Sequence, residues 1–153
     1  MGGRPAIILG RGSIVTKDVS TPRVAGPLVL LVDDYDDSRE MYAEFLELAG
    51  FRVCQARDGR QGVEKARECG PDLILMDLSL PGMDGWEAIK QLKSDDRTRR
   101  IPVIALSGHN QNDVAGKLGP RWDYFVAKPC QPEDLVKEMQ RALSSAALAG
   151  GQQ

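Results

Sequence analysis

Leu73-Ile74-Leu75-Met76-Asp77, followed by Leu78-Ser79-Leu80-Pro81-Gly82-Met83-Asp84-Gly85, decides how this chain is read. Four consecutive apolar residues mark a strand covered by helices on both faces, and Pro81, Gly82 and Gly85 then turn the backbone. Asp77 therefore falls at the carboxyl end of a buried strand. Ligand chemistry collects at that edge of open parallel α/β sheets, so an acid there is placed for a reaction. The plainer alternative is an Asp that ends the strand and caps the turn.

The same pattern extends outward in both directions. Upstream, Leu28-Val29-Leu30-Leu31-Val32 is an apolar run that also ends in acids, Asp33-Asp34. Asp36 or Asp37 caps a helix with Met41, Phe45, Leu48 and Ala49 at helical spacing, and Gly50 stops it. Phe51-Arg52-Val53-Cys54-Gln55 alternates as a strand does, and a helix over 60–69 buries Val63 and Ala66 before Gly70-Pro71. Downstream, a helix over 85–93 carries Trp86, Ile89 and Leu92 on one side. Pro102-Val103-Ile104-Ala105-Leu106 is a fourth strand ending at Ser107-Gly108. The fourth helix, over 110–118, is expected to be shortened or irregular because Gly116, Gly119 and Pro120 oppose it. Tyr124-Phe125-Val126-Ala127 is the fifth strand, ending at Lys128-Pro129. Pro132 opens a last helix whose buried side is Leu135, Val136, Met139 and Leu143. Five strands alternating with helices require right-handed crossovers and a parallel sheet, an α/β fold. The flavodoxin-like, doubly wound five-stranded order 2-1-3-4-5 is one common solution.

With 153 residues and 42% hydrophobic content, the chain builds one domain of ordinary size and not two. That domain is expected over 28–146, with a flexible N-terminal extension over 1–27 and a frayed C-terminal tail over 147–153. A formal net charge of -2 gives no push toward nucleic acid or an anionic membrane. No apolar run approaches the roughly 18 residues needed to span a bilayer, and the first residues do not form a signal peptide. Cys54, Cys69 and Cys130 are odd in number and lack metal-ligand spacing, so they read as reduced thiols of a cytoplasmic protein.

In such a sheet the strand ends bring Asp33, Asp34, Asp77, Ser107 and Lys128 to one edge. Two unit charges about 4 Å apart cost roughly 4 kcal/mol at an effective dielectric near 20, so three carboxylates there need cations. Lys128 supplies one charge and a divalent metal the rest. Hard oxygen ligands with water favour Mg²⁺, which accepts a substrate phosphate as a further ligand. The Ser107 hydroxyl, the Lys128 ammonium and a backbone amide beside Leu78 or Gly108 suit a phosphoryl cage. Asp77 is then the nucleophile that attacks phosphorus in line, giving an acyl phosphate.

These residues resemble the receiver domain of two-component response regulators. The matching motifs are Val32-Asp33-Asp34, Leu75-Met76-Asp77, Leu80-Pro81-Gly82-Met83-Asp84-Gly85, Ile101-Pro102-Val103-Ile104-Ala105-Leu106-Ser107-Gly108 and Lys128-Pro129. The resemblance implies that Asp77 is the phosphoacceptor and that Asp33 and Asp34 hold Mg²⁺ with it. It implies Ser107 as switch hydroxyl, Phe125 as switch aromatic and a cis bond before Pro129. Ser79 and His109 match positions that set how fast the acyl phosphate hydrolyses. The implied phosphodonor is a phosphohistidine on a sensor histidine kinase or a histidine phosphotransfer protein. The output is a switched protein-binding surface or onward relay of the phosphoryl group, as in a single-domain response regulator that catalyses only its own phosphorylation and dephosphorylation.

The chain departs from that family between Ser107 and Lys128, which lie about one residue closer together, with Pro120-Arg121-Trp122 where Ala-Gly is common. Trp122 reads either as a cover for a shortened helix or as part of a new binding surface. Arg97, Arg99 and Arg100 read as a solvated face or a docking patch for an acidic partner. Three rival functions differ in chemistry. A dehalogenase-type phosphatase wants a second Asp where Ser79 stands. A flavin carrier wants a hydroxyl-rich phosphate loop where Asp33-Asp34-Tyr35-Asp36-Asp37 would repel one. A phosphorylation-independent interaction module has the altered fourth helix as its support.

Overall fold

The computed structural model describes residues 26–78, 85–108 and 122–151. In chain order the elements are β1 (Leu28–Val32), α1 (Asp36–Leu48), β2 (Arg52–Ala56), α2 (Gly59–Cys69), β3 (Leu73–Asp77), α3 (Gly85–Ser94), β4 (Val103–Ser107), β5 (Tyr124–Ala127) and α4 (Pro132–Gly151). The sheet order is β2-β1-β3-β4-β5, and every neighbouring pair is parallel. This is the 2-1-3-4-5 arrangement of a doubly wound α/β fold. The expected fourth helix, over 110–118, lies outside the described residues.

Side chains alternate across a strand, and β1 shows why its sequence is apolar throughout. Leu30 and Val32 join Ile74, Met76, Val103 and Ala105 under Val63 and Ala66 of α2 and Ile89 and Leu92 of α3. Val29 and Leu31 join Leu73, Leu75, Ile104 and Leu106 under Tyr42 and Leu46 of α1 and Leu135 and Met139 of α4. All five residues of β3 and of β4 are buried. A fully covered side chain of this size contributes about 1.5–3 kcal/mol, so the central strands anchor the fold.

Several helix details differ from the sequence reading. Tyr35, not Asp36 or Asp37, is the N-cap of α1, and both acids fall within its first turn. The buried stripe of α1 is Tyr42, Ala43 and Leu46, while Met41 and Leu48 are exposed at 46% and 85%. Both stripes have helical spacing, and the choice between them is made by docking onto Val29 and Leu31. α4 continues through Gly151, where a frayed tail from 147 was expected. Its Ser-Ser-Ala-Ala-Leu-Ala run is rich in the best helix former, and a helix already nucleated extends cheaply through such residues. α2 begins with Asp58, whose carboxylate accepts from Gln61 N at 2.8 Å, and ends at Gly70 with φ 57, a left-handed turn suited to glycine. Among the described residues no helix is long and apolar enough to cross a membrane.

Candidate functional site

The ends of β1, β3, β4 and β5 converge as their registers require. Asp77 pairs with Leu106 across β3 and β4, and Ser107 with Ala127 across β4 and β5. The ladder runs one step further on each side: Leu78 N donates to Leu106 O at 3.0 Å and Lys128 N to Ser107 O at 2.7 Å. Lys128 is thereby carried to the same edge as Asp77, and its bond to Pro129 is cis, as the resemblance implied.

The Lys128 ammonium lies 3.2 Å from Asp77 Oδ2 and 3.7 Å from Asp33 Oδ2. Asp33 and Asp77 are both buried, at 1% and 7% exposure, whereas Asp34 faces solvent. One carboxylate oxygen from each of the three acids lies within 4.8 Å of the others. One lysine leaves this cluster with surplus negative charge. An all-oxygen donor set with one solvent-facing member suits a hard divalent cation that retains water.

Asp33 is held by its own neighbourhood. Its Oδ1 accepts from Tyr35 N at 2.9 Å and its Oδ2 from Ser38 Oγ at 3.1 Å. Arg39 donates to Asp33 O at 2.9 Å, to Gln55 Oε1 at 3.1 Å and to Asp36 Oδ1 at 2.7 Å, tying the start of α1 to β2. Sequence reasoning missed Ser38 and Arg39. The signal was available in part: they follow Asp33 by five and six positions, on the first turns of a helix that must begin beside it.

Ser107 is buried at the end of β4. Phe125 is half-buried on β5, with its ring centroid 5.3 Å from that of Trp122, which in turn lies 5.2 Å from Trp86 on α3. These tilted contacts form an aromatic row from β5 to α3. Trp86 and Trp122 are both buried, so each packs inside the fold. Ser79 and His109 lie outside the described residues.

Of the three arginines before β4, Arg97 and Arg99 are paired within the chain. Arg97 and Arg67 both bind Asp95 Oδ2 at 2.8 Å, and Arg99 reaches Asp96 Oδ1 at 3.4 Å. Hydrogen bonds from Arg97, with help from Arg67, hold the Asp95 carboxyl below the ordinary carboxylate range. Cys130 Sγ sits 3.7 Å from the Tyr42 hydroxyl. Burial first, and the Cys130 contact second, push that hydroxyl up to about 12.

An open parallel sheet with clustered acids and a lysine at its carboxyl edge places the chain among doubly wound α/β proteins of the receiver type. The family model of the response regulator receiver domain matches residues 29–140, and the chain belongs to that family, which acts in two-component signal transduction. The phosphate regulon transcriptional regulatory protein PhoB of Pseudomonas aeruginosa is 37% identical over 122 residues, covering 78% of this chain and 53% of that protein. Protein PilH of the same organism is 36% identical over 118 residues, covering 76% of this chain and 97% of that protein. The chain thus spans about half the length of PhoB and nearly all of PilH. Among solved structures, the receiver domain of a Pseudomonas aeruginosa sensor histidine kinase matches with a TM-score of 0.72 at 32% identity, over 78% of this chain and 99% of that one. That structure has a magnesium ion coordinated in its active site cleft.

Proposed function

We propose that the chain takes a phosphoryl group onto Asp77 from a phosphohistidine of a sensor histidine kinase or a histidine phosphotransfer protein. It then switches a protein-binding surface or passes the phosphoryl group on. The observation that carries this reading is the placement of Lys128 Nζ 3.2 Å from Asp77 Oδ2, with Asp33 beside both. A carboxylate so placed has a fixed cation next to the oxygen that attacks, ready to neutralise charge building on the phosphoryl oxygens. An Asp77 oxygen bonds to phosphorus as the phosphorus–nitrogen bond breaks, and the departing imidazole keeps the electron pair and is protonated. Asp33, Asp34 and Asp77 would hold Mg²⁺, which when bound supplies further charge neutralisation. Ser107 then donates its hydroxyl to the phosphoryl group, while Ser79 and His109 orient the water that ends the signal. The free thiols of Cys54, Cys69 and Cys130 suit a reducing cytoplasm, where the same reading locates the protein.

Incubation with acetyl phosphate and Mg²⁺ tests the chemistry. Intact mass is expected to rise by one phosphoryl group in the wild type and to stay unchanged in Asp77→Asn or when the metal is chelated. An unmodified wild type with a competent donor defeats the proposal and leaves the phosphorylation-independent interaction module.

The switch has its own readout. Movement of Ser107 toward a phosphoryl group opens space into which Phe125 turns, and Phe125 cannot turn without disturbing Trp122. The chain has two tryptophans, both in that row. Phosphorylation is therefore expected to change tryptophan emission, and Phe125→Leu to remove most of the change while Asp77 is still modified. Emission that is identical before and after full modification would rule out this route.

A further inference from the structure

α2 returns antiparallel to β2, so its last residue comes back beside the strand. That residue is Cys69, and its Sγ lies 3.5 Å from Sγ of Cys54 on β2, fifteen positions earlier in the chain. The two sulfurs are in van der Waals contact and both thiols are free. Cys69 is exposed, whereas Cys54 is half-buried against the core beneath α2. No spacing motif marks them, which is why three scattered cysteines read as unrelated thiols.

We propose that Cys54 and Cys69 are a reversible dithiol–disulfide pair, closed by a hydroperoxide and reopened by a dithiol reductant. The Cys69 thiolate meets the oxidant first because it faces solvent. It attacks one oxygen of hydrogen peroxide; the oxygen–oxygen bond breaks, Cys69 becomes a sulfenic acid, and the departing hydroxide takes a proton to give water. The Cys54 sulfur then attacks the Cys69 sulfur. The sulfur–oxygen bond breaks, the sulfur–sulfur bond forms, and the leaving hydroxide with the Cys54 proton gives a second water. Two thiols lose two electrons and one peroxide gains them. Burial, followed by the hydrogen bond with Cys69, pushes the Cys54 thiol up, which disfavours it as the first to meet the oxidant, and its sulfur 3.5 Å from that of Cys69 makes it the resolving partner. Closure brings the sulfurs from 3.5 Å to the roughly 2.05 Å of a disulfide. The product staples the sheet's edge strand to the last turn of α2, closing a short loop. It is independent of phosphotransfer.

The test treats the full, reduced chain with hydrogen peroxide, alkylates remaining thiols under denaturing conditions and maps peptides by mass. The expected product has lost two hydrogens, carries a cross-linked peptide joining Cys54 to Cys69, and is alkylated only at Cys130. It should form equally in Cys130→Ser, fail in Cys54→Ala and in Cys69→Ser, reverse with a dithiol reductant, and melt at a higher temperature than the reduced protein. Peptide mapping of the wild type needs no variant to fold. Overoxidation of Cys69 without the cross-link, dimers joined through Cys69, or a bridge involving Cys130 would each overturn the assignment.

Discussion

Gly85→Ala is expected to lower stability by about 3 kcal/mol or more, at or beyond the upper end of ordinary overpacking. A Cβ at position 85 would lie 2.2 Å from Asp77 O and 2.6 Å from Leu78 Cα. Both are backbone atoms of the buried strand end, so no side chain can turn aside to make room. Helix propensity argues the other way, since Ala is favoured over Gly by roughly 1 kcal/mol inside a helix. The clash wins because relief requires moving either β3 or the start of α3. Moving α3 would lift Trp86, Ile89 and Leu92 from the core, and moving β3 would displace Asp77 from Lys128. For a chain of this length each kcal/mol shifts the melting temperature by about 2–4 °C, so a fall of about 6–12 °C is expected. Thermal unfolding reads that loss directly. The acetyl phosphate reaction reads the displacement of Asp77 at temperatures where the variant stays folded. A neutral or stabilised Gly85→Ala would mean that α3 does not begin against the end of β3 as described.

Most of the fold was legible because its central strands are covered on both faces. Leu28 to Val32 and Leu73 to Met76 are continuous apolar runs, and no other element explains such a run followed by an acid and a turn. The site was legible for a related reason. Asp33, Asp34, Asp77, Ser107 and Lys128 all end a strand or come just after one, so a parallel topology brings them to one edge without any knowledge of packing. Amphipathic detail was less legible. α1 offers two stripes, Met41-Phe45-Leu48 and Tyr42-Ala43-Leu46, and only contact with the sheet selects the second. The alanine-rich end of α4 carried a helix signal that its small side chains and terminal position disguised. The facing sulfurs of Cys54 and Cys69 were not legible, because their contact depends on how α2 docks against β2, which the bounds of the two elements do not give. The support of Asp33 by Ser38 and the tie made by Arg39 likewise depend on where α1 starts relative to β1 and β2.

Lys128→Met should have two separable effects, on stability without metal and on phosphotransfer with it. The ammonium pairs with Asp77 Oδ2 at 3.2 Å and lies 3.7 Å from Asp33 Oδ2, while its side chain is 26% exposed. Methionine keeps an unbranched apolar side chain of similar reach and removes the charge, leaving three clustered carboxylates without their lysine. Removing one member of a buried pair costs about 3–5 kcal/mol, and partial exposure places this case near the lower end, about 3 kcal/mol. If repulsion among the acids is the cause, added Mg²⁺ should restore much of that loss, because binding to the folded state alone stabilises it by mass action. Phosphotransfer should not recover with it. Loss of one fixed group facing developing charge lowers rates by about 10²–10³-fold, and saturating Mg²⁺ does not replace a cation at the Lys128 position. Lys128→Arg separates charge from shape: it should retain stability yet stay slow, since a planar guanidinium does not occupy the place of a compact ammonium. Melting curves with and without Mg²⁺, paired with the rate of phosphoryl gain by mass, distinguish these outcomes. A Lys128→Met chain that accepts the phosphoryl group at the wild-type rate would remove the lysine from the proposed chemistry and reduce its role to balancing the acids.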